Sequence, residues 1–238
     1  MLLWIAAAFL SFYIKGICGF ANTLVFTAML SFTNSNALIF PVSLMLGYPT
    51  NAIIAFKERK YIDWKVCALL SALVIAGSIP GTFFLKNSDA GIIKQLFGVV
   101  IILLGLENLM QEKMPKKAVP SKASLLLIGV VSGLLCGLYG VGALISAYIS
   151  RVTDNSHAFK ANLCVVFLVD NSFRFFLYIF SGLLTTEVLK LSLLLIPMTL
   201  FGLWAGMRSS NLINEHTAKK VVAAALIISG AALIISNF

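Results

Sequence analysis

The sequence predicts an all-α fold: a polytopic helical membrane protein built from two inverted repeats, each opening on a glycine-broken segment and continuing through three spanning helices. Three observations lead there. The 238 residues are 60% hydrophobic and only 11% charged, with a mean hydropathy of +0.98, a composition that buries its apolar surface in lipid rather than in a single soluble core. Gly16-Ile17-Cys18-Gly19 and Gly133-Leu134-Leu135-Cys136-Gly137 each interrupt a long apolar stretch, in opposite halves of the chain. Finally, several glycines and one lysine recur at a fixed offset between those halves.

Eight apolar segments cover almost the whole chain. They run over 2–32, 37–56, 66–85 and 96–109, then over 123–150, 161–180, 191–207 and 221–235. Between the two sets stands a stretch from Gln111 to Lys122 whose two prolines and four lysines cannot continue a helix into lipid. The chain therefore divides into a first transmembrane repeat at 1–112, a basic cytoplasmic linker at 113–122 and a second transmembrane repeat at 123–238, with no length left for a soluble domain. Gly77, Gly81, Lys94 and Gly105 return at an offset of 125 as Gly202, Gly206, Lys219 and Gly230, which favours duplication over coincidence. Earlier in the repeat the offset shrinks, so that Cys18-Gly19 answers Cys136-Gly137 and Asn51 answers Asn171. The opening residues have no basic stretch ahead of their apolar run and read as mature structure rather than a secretory signal.

The distribution of basic residues decides how the repeats are related. If the glycine-broken segments cross the membrane, Lys and Arg divide nine to seven between the two sides, almost no bias. If each folds back as a re-entrant hairpin of half-helices, the ratio becomes thirteen to three, with only Lys15 and Arg174 at membrane depth. The positive-inside rule selects the second arrangement. Three spans per half is an odd number, so the second half enters from the opposite face and the repeats are inverted. Counting each arm as a short crossing gives the same parity. The linker then faces the cytoplasm of the cell (plasma) membrane, and both termini face outside.

Backbone released from helical bonding is tolerated at membrane depth only where it is buried in protein or lines a cavity, so two such breaks point to a transport site. The second arms begin near Phe20, Ala21 and Asn22 and near Val141 and Gly142. Their N-terminal ends are expected to meet near the bilayer midplane about a pseudo-two-fold axis, where free N–H groups and the positive pole of each helix favour an anion. Gly19, Gly137, Gly140 and Gly142 let backbone and ligand approach closely, although close helix packing explains any one glycine equally well. Lys15 supplies charge to the same site, or else closes the first arm as a C-terminal cation. Asp170 and Arg174, spaced i, i+4, pair on one helical face, as a structural ion pair or as a gating and coupling element, and Arg174 also faces the substrate. Asn51 and Asn171 offer amide donors from both halves. Cys18 is a polarisable contact for a sulfur-containing ligand, as is Cys136; small-residue packing is the plainer role.

Other chemistry is excluded or assigned to architecture. The four cysteines lie in or beside apolar segments, which argues against a disulfide framework or metal site, and His157 and His216 sit in polar connections as solvated residues. No Gly-rich loop ending in Lys and Ser or Thr occurs, so no nucleotide cofactor is implied, and the lack of a nucleophile–base or ligand set at one depth excludes an intramembrane enzyme. The net charge of +9 belongs to short loops where membrane topology accounts for it, not to nucleic-acid binding. Trp4, Trp64 and Trp204 suit interfacial belts. The Gly77-x3-Gly81 and Gly202-x3-Gly206 pairs suit small-residue helix contacts that join the halves or two protomers of a homodimer. Against the transporter stand two alternatives, an anion channel and a non-transporting membrane assembly protein.

At these motifs the chain resembles the sulfite exporter TauE/SafE family, also called the toluene sulfonate uptake permease family. The resemblance spans nearly the whole length and rests on the glycine-bearing first segment of each half, on Lys60-Tyr61-Ile62-Asp63-Trp64 leading into Gly77-Ser78-Ile79-Pro80-Gly81, on Leu104-Gly105-Leu106, and on Lys160-Ala161-Asn162. Phe20, Ala21 and Asn22, and Leu138, Tyr139 and Val141, stand where the family's glycine run is fuller. The resemblance implies a transporter of sulfite and organosulfonate-type anions in the lipid bilayer. Because the cell interior is negative, export gains about 2.3 kcal/mol per 100 mV for each negative charge and needs no ATP.

Overall fold

The computed structural model describes residues 1–87, 95, 98–100, 102–103, 106, 122–140, 142–153, 155–210, 220, 223, 227, 231 and 234. Val141, Lys94, Gly105, Lys219, Gly230, His216, linker residues 113–121 and most of the fourth and eighth apolar segments lie outside the described residues.

Every regular element among the described residues is helical. The first half holds α1 (Leu2–Cys18), α2 (Asn22–Leu30), α3 (Asn36–Lys57), a 3-10 turn (Arg59–Tyr61) and α4 (Trp64–Asn87). The second holds α5 (Lys122–Tyr139), α6 (Ala143–Val152), α7 (Ser156–Phe180) and α8 (Thr186–Ser209). Among the described residues, four helices are long and apolar enough to cross a membrane: Asn36–Lys57, Trp64–Leu85, Ser156–Phe180 and Thr186–Ser209. The same succession of lengths occurs twice, with 17 and 9 residues in α1 and α2 against 18 and 10 in α5 and α6. At 1.5 Å per residue α2 is about 14 Å long, half the roughly 30 Å hydrocarbon core.

Local chemistry fixes the helix ends. Asp63 accepts from the amides of Lys65 and Val66 at 3.0 and 3.2 Å and so caps α4, and Asn155 accepts from the Ala158 amide at 2.8 Å at the start of α7. α7 stops at Gly182, which takes φ 70° while the Leu183 amide returns to the Tyr178 carbonyl at 2.9 Å. Pro80 and Pro197 lie inside α4 and α8.

Two compact units arise, and they interleave the sequence halves. One gathers Met1–Ser43 with α8; the other gathers Leu44–Asn87 with α5, α6 and α7, so α3 contributes to both. In the first, α1 packs on α8 through glycine. A methyl group on Gly16 would stand 2.6 Å from the Leu203 carbonyl oxygen, one on Gly202 2.6 Å from the Phe9 carbonyl oxygen, and one on Gly206 would overlap the Tyr13 carbonyl. In the second, Gly77 and Gly81 of α4 lie against Gly133 and Gly137 of α5, with backbone meeting backbone. Each Gly-x3-Gly pair therefore faces the opening helix of the opposite half, inside one chain. Close approach of this kind stabilises apolar helix pairs by dispersion where no hydrophobic effect acts between them.

One reading of a single residue changes. Trp4 is buried, packed edge-on against Phe26 at 5.7 Å, because α2 covers it; Trp64 and Trp204 are exposed, as an interfacial belt requires. His157 is exposed, as expected, and on that surface its Nδ1 lies 2.9 Å from Glu58 Oε2 and its ring stacks on Tyr61 at 5.2 Å.

Candidate anion site within the membrane

The first site residues cluster where α1 hands over to α2. The helix runs through Gly16, whose open face α8 occupies, and ends only at Cys18. Gly19 then adopts φ 86°, with its amide donating to the Lys15 carbonyl at 2.7 Å. Ala21 also takes a left-handed conformation at φ 72°, a placement that costs an L residue roughly 1–2 kcal/mol. Strain of this kind persists only where the surroundings impose it. Ala21 is the N-cap of α2 and has no side chain able to bind the first amides of that helix. Around this turn Lys15, Cys18, Phe20, Ala21 and Asn22 are all buried, Lys15 to 1% exposure with its ammonium 5.6 Å from the Phe12 ring centre. Asn22 donates to Thr23 at 3.4 Å, and Ser43 donates to Thr23 at 3.2 Å.

The second unit repeats the handover. α5 continues through Gly133 and Gly137 to Tyr139, and both glycines are spent on α4: a methyl on Gly133 would overlap the Val74 carbonyl and one on Gly137 the Ser78 carbonyl. Gly140 then takes φ 66°, its amide donating to the Cys136 carbonyl at 2.8 Å. Gly142 is the N-cap of α6, again without a capping side chain, and Phe167 fills the space where its side chain would be.

Within the same unit lies the charged cluster. Arg174 and Asp170 occupy successive turns of α7, and Arg174 Nε donates to Asp170 Oδ2 at 2.8 Å with side-chain exposures of 4% and 0%. Arg174 Nη2 donates to Asn171 Oδ1 at 2.7 Å. The other carboxylate oxygen of Asp170 accepts from Ser78 at 2.6 Å, and the same hydroxyl lies 3.1 Å from the Gly133 carbonyl. Arg174 Nη1 and the Tyr178 hydroxyl, one turn apart and both buried, make no hydrogen bond among the described residues. A guanidinium has five N–H groups in a planar fork. One edge is committed to orientation, and the third nitrogen has no acceptor that meets hydrogen-bond geometry, with the Tyr178 hydroxyl beside it.

The structure thus brings Lys15, Cys18, Gly19, Phe20, Ala21 and Asn22 together in one unit, and Asp170, Asn171 and Arg174 in the other. Asn51 is buried in that second unit at 2% exposure. Reading the sequence alone missed Ser78 and Tyr178. Ser78 sits inside the Gly77-x3-Gly81 pair, which brings α4 close enough for a short hydroxyl to reach Asp170, and Tyr178 extends the i, i+4 ladder of Asp170 and Arg174 by one step.

The model of the family described as sulfite exporter TauE/SafE matches residues 4–233. The chain belongs to the TauE/SafE family. A relative from Cupriavidus necator, described as a probable sulfite/organosulfonate exporter TauE, is 24% identical over 182 residues, covering 75% of this chain and 71% of the relative. No solved structure matches the chain. TauE/SafE proteins are transporters, not enzymes, which agrees with the apolar spans.

Proposed function

We propose that the protein moves sulfite or an organosulfonate-type anion across the plasma membrane, outward, by alternating access of two inverted repeats whose glycine-bearing opening segments are re-entrant half-helix pairs. The observation that carries the reading is the buried guanidinium of Arg174, aligned by Asp170 and Asn171 with Nη1 and the nearby Tyr178 hydroxyl left as donors. A pyramidal or tetrahedral sulfur oxyanion accepts from both. At the handovers, the uncapped starts of α2 and α6 each offer backbone amides to the same kind of ligand. The family and the Cupriavidus necator relative support the choice of sulfur oxyanion. The linker then lies in the cytoplasm and the termini outside, as the thirteen-to-three division of basic residues requires.

The test is flux in proteoliposomes holding a set membrane potential, with sulfite, sulfoacetate and thiosulfate as substrates. An inside-negative potential drives substrate out, and unlabelled substrate on one side drives saturable counterflow, which a channel does not support. Absence of potential-dependent flux for every anion, together with unaltered behaviour of Gly19→Leu and Gly137→Leu, refutes the proposal.

A further inference from the structure

At the end of α3 a cleft of about 660 Å³ is lined by Ala52, Ile53, Phe56, Lys57, Arg59 and Lys60, within the roughly 300–1,000 Å³ typical of ligand clefts. Its walls are mostly apolar carbon and its rim carries three cations. The Arg59 guanidinium lies over the Phe56 ring, 4.5 Å from its centre, so the cation is held on an aromatic platform rather than left to sweep through solvent. Phe56 and Ile53 are 70% and 40% exposed on a helix long enough to cross the membrane, so the apolar wall continues onto a lipid-facing surface. The exposed rings of Tyr61 and Trp64 flank the turn, as interfacial aromatics do.

Topology alone explains basic residues in a short loop, but it does not explain where the acids of this loop go. Glu58 is turned to His157, at 2.9 Å, and Asp63 is committed to the first amides of α4. Both carboxylates are thereby kept from the cleft while Lys57, Arg59 and Lys60 line it. We infer that this cleft binds the headgroup of an anionic phospholipid, with the phosphate against Arg59 and Lys60 and the first methylenes of an acyl chain along Ile53 and Phe56. A soluble phosphate is a poorer fit, because most of the wall offers it nothing. The assignment rests on α3 spanning a membrane and is independent of which anion the protein transports.

The test is native mass spectrometry of the purified full-length protein titrated with phosphatidylglycerol or phosphatidylcholine. Phosphatidylglycerol is expected to bind saturably and to be retained in preference to phosphatidylcholine, and sn-glycerol 3-phosphate, which has the phosphate but no chains, is expected not to compete. At about 1 kcal/mol per cation near a membrane surface, Arg59→Gln with Lys60→Gln weakens binding roughly 30-fold. Ala52→Phe, which fills the cleft without changing charge, abolishes the preference; Phe56→Ala, at an exposed position with little packing to lose, weakens it by removing the platform under Arg59. Equal retention of the two lipids, competition by glycerol phosphate, or full binding in both Ala52→Phe and Phe56→Ala overturns the inference, the last because it leaves attraction by loop charge alone.

Discussion

Replacing Arg174 with Met separates what the buried ion pair does for the fold from what it does for an anion. The single change leaves the Asp170 carboxylate, fully buried, with Ser78 as its remaining side-chain donor. Breaking a buried pair from one side costs about 3–5 kcal/mol, because the orphaned charge stays out of water. Replacing Asp170 with Leu strands the guanidinium and carries a similar cost. The double replacement, Asp170→Leu with Arg174→Met, removes both charges and substitutes apolar groups of comparable volume, a change that is often neutral or stabilising by about 1–4 kcal/mol. Two neighbours set the residue of that balance. Ser78 keeps the Gly133 carbonyl as an acceptor at 3.1 Å, whereas Asn171 Oδ1 loses its donor and costs about 1–3 kcal/mol. The double variant should therefore unfold within about 2 kcal/mol of the parent, while each single variant falls well below it. The assay is thermal unfolding of detergent-purified protein beside anion flux in proteoliposomes. If Arg174 receives the anion, the double variant folds but does not transport. A double variant that transports like the parent refutes the assignment and leaves the pair a structural element. A double variant as unstable as the singles refutes the electrostatic account of their loss.

Further outcomes follow from the same geometry. Gly77→Ala places a methyl into the Val130 carbonyl and should lower stability by about 1–3 kcal/mol, and Gly206→Ala should do the same through Tyr13; unchanged melting of either would show that the helix pairs relax freely. Ala21→Gly should be neutral or stabilising by up to about 1 kcal/mol, since glycine accepts φ 72° without steric cost, while Gly19→Ala should lose about 1–2 kcal/mol; calorimetry or denaturant titration reads both. Asn162→Leu leaves the Asp63 amide, now bound at 2.7 Å, and the Cys67 thiol without their shared acceptor, a loss of about 1–3 kcal/mol measurable by thermal unfolding.

Helical class and the spans over α3, α4, α7 and α8 were legible because apolar runs of this length have few other uses. The Asp170–Arg174 contact was legible too, since i, i+4 spacing on a helix leaves two opposite charges little choice. What stayed hidden lies between distant residues. Ser78 contacts Asp170 from another helix, and nothing local in Gly77-Ser78-Ile79 marks that hydroxyl as a partner. The glycines misdirected the reading by a few residues: Gly16, Gly133 and Gly137 look like breaks, yet the helices run through them, because a missing Cβ serves backbone-to-backbone packing as well as it serves a turn. The turns fall just beyond, at Gly19–Ala21 and at Gly140, and an alanine at positive φ is too rare to expect from sequence. Trp4 was placed at an interface by residue type, and only the position of α2 buries it.

The glycine contacts between α1 and α8 also constrain how the protein can be made. During synthesis, the narrow face around Gly16 enters the membrane well before Gly202 and Gly206, which fill it, are translated. This helix must therefore wait, bare of its partner, while the intervening helices are made, and the pairing it finally makes closes a loop of high sequence separation. Neither half should assemble when expressed alone; supplied as two fragments in one cell, they should find each other.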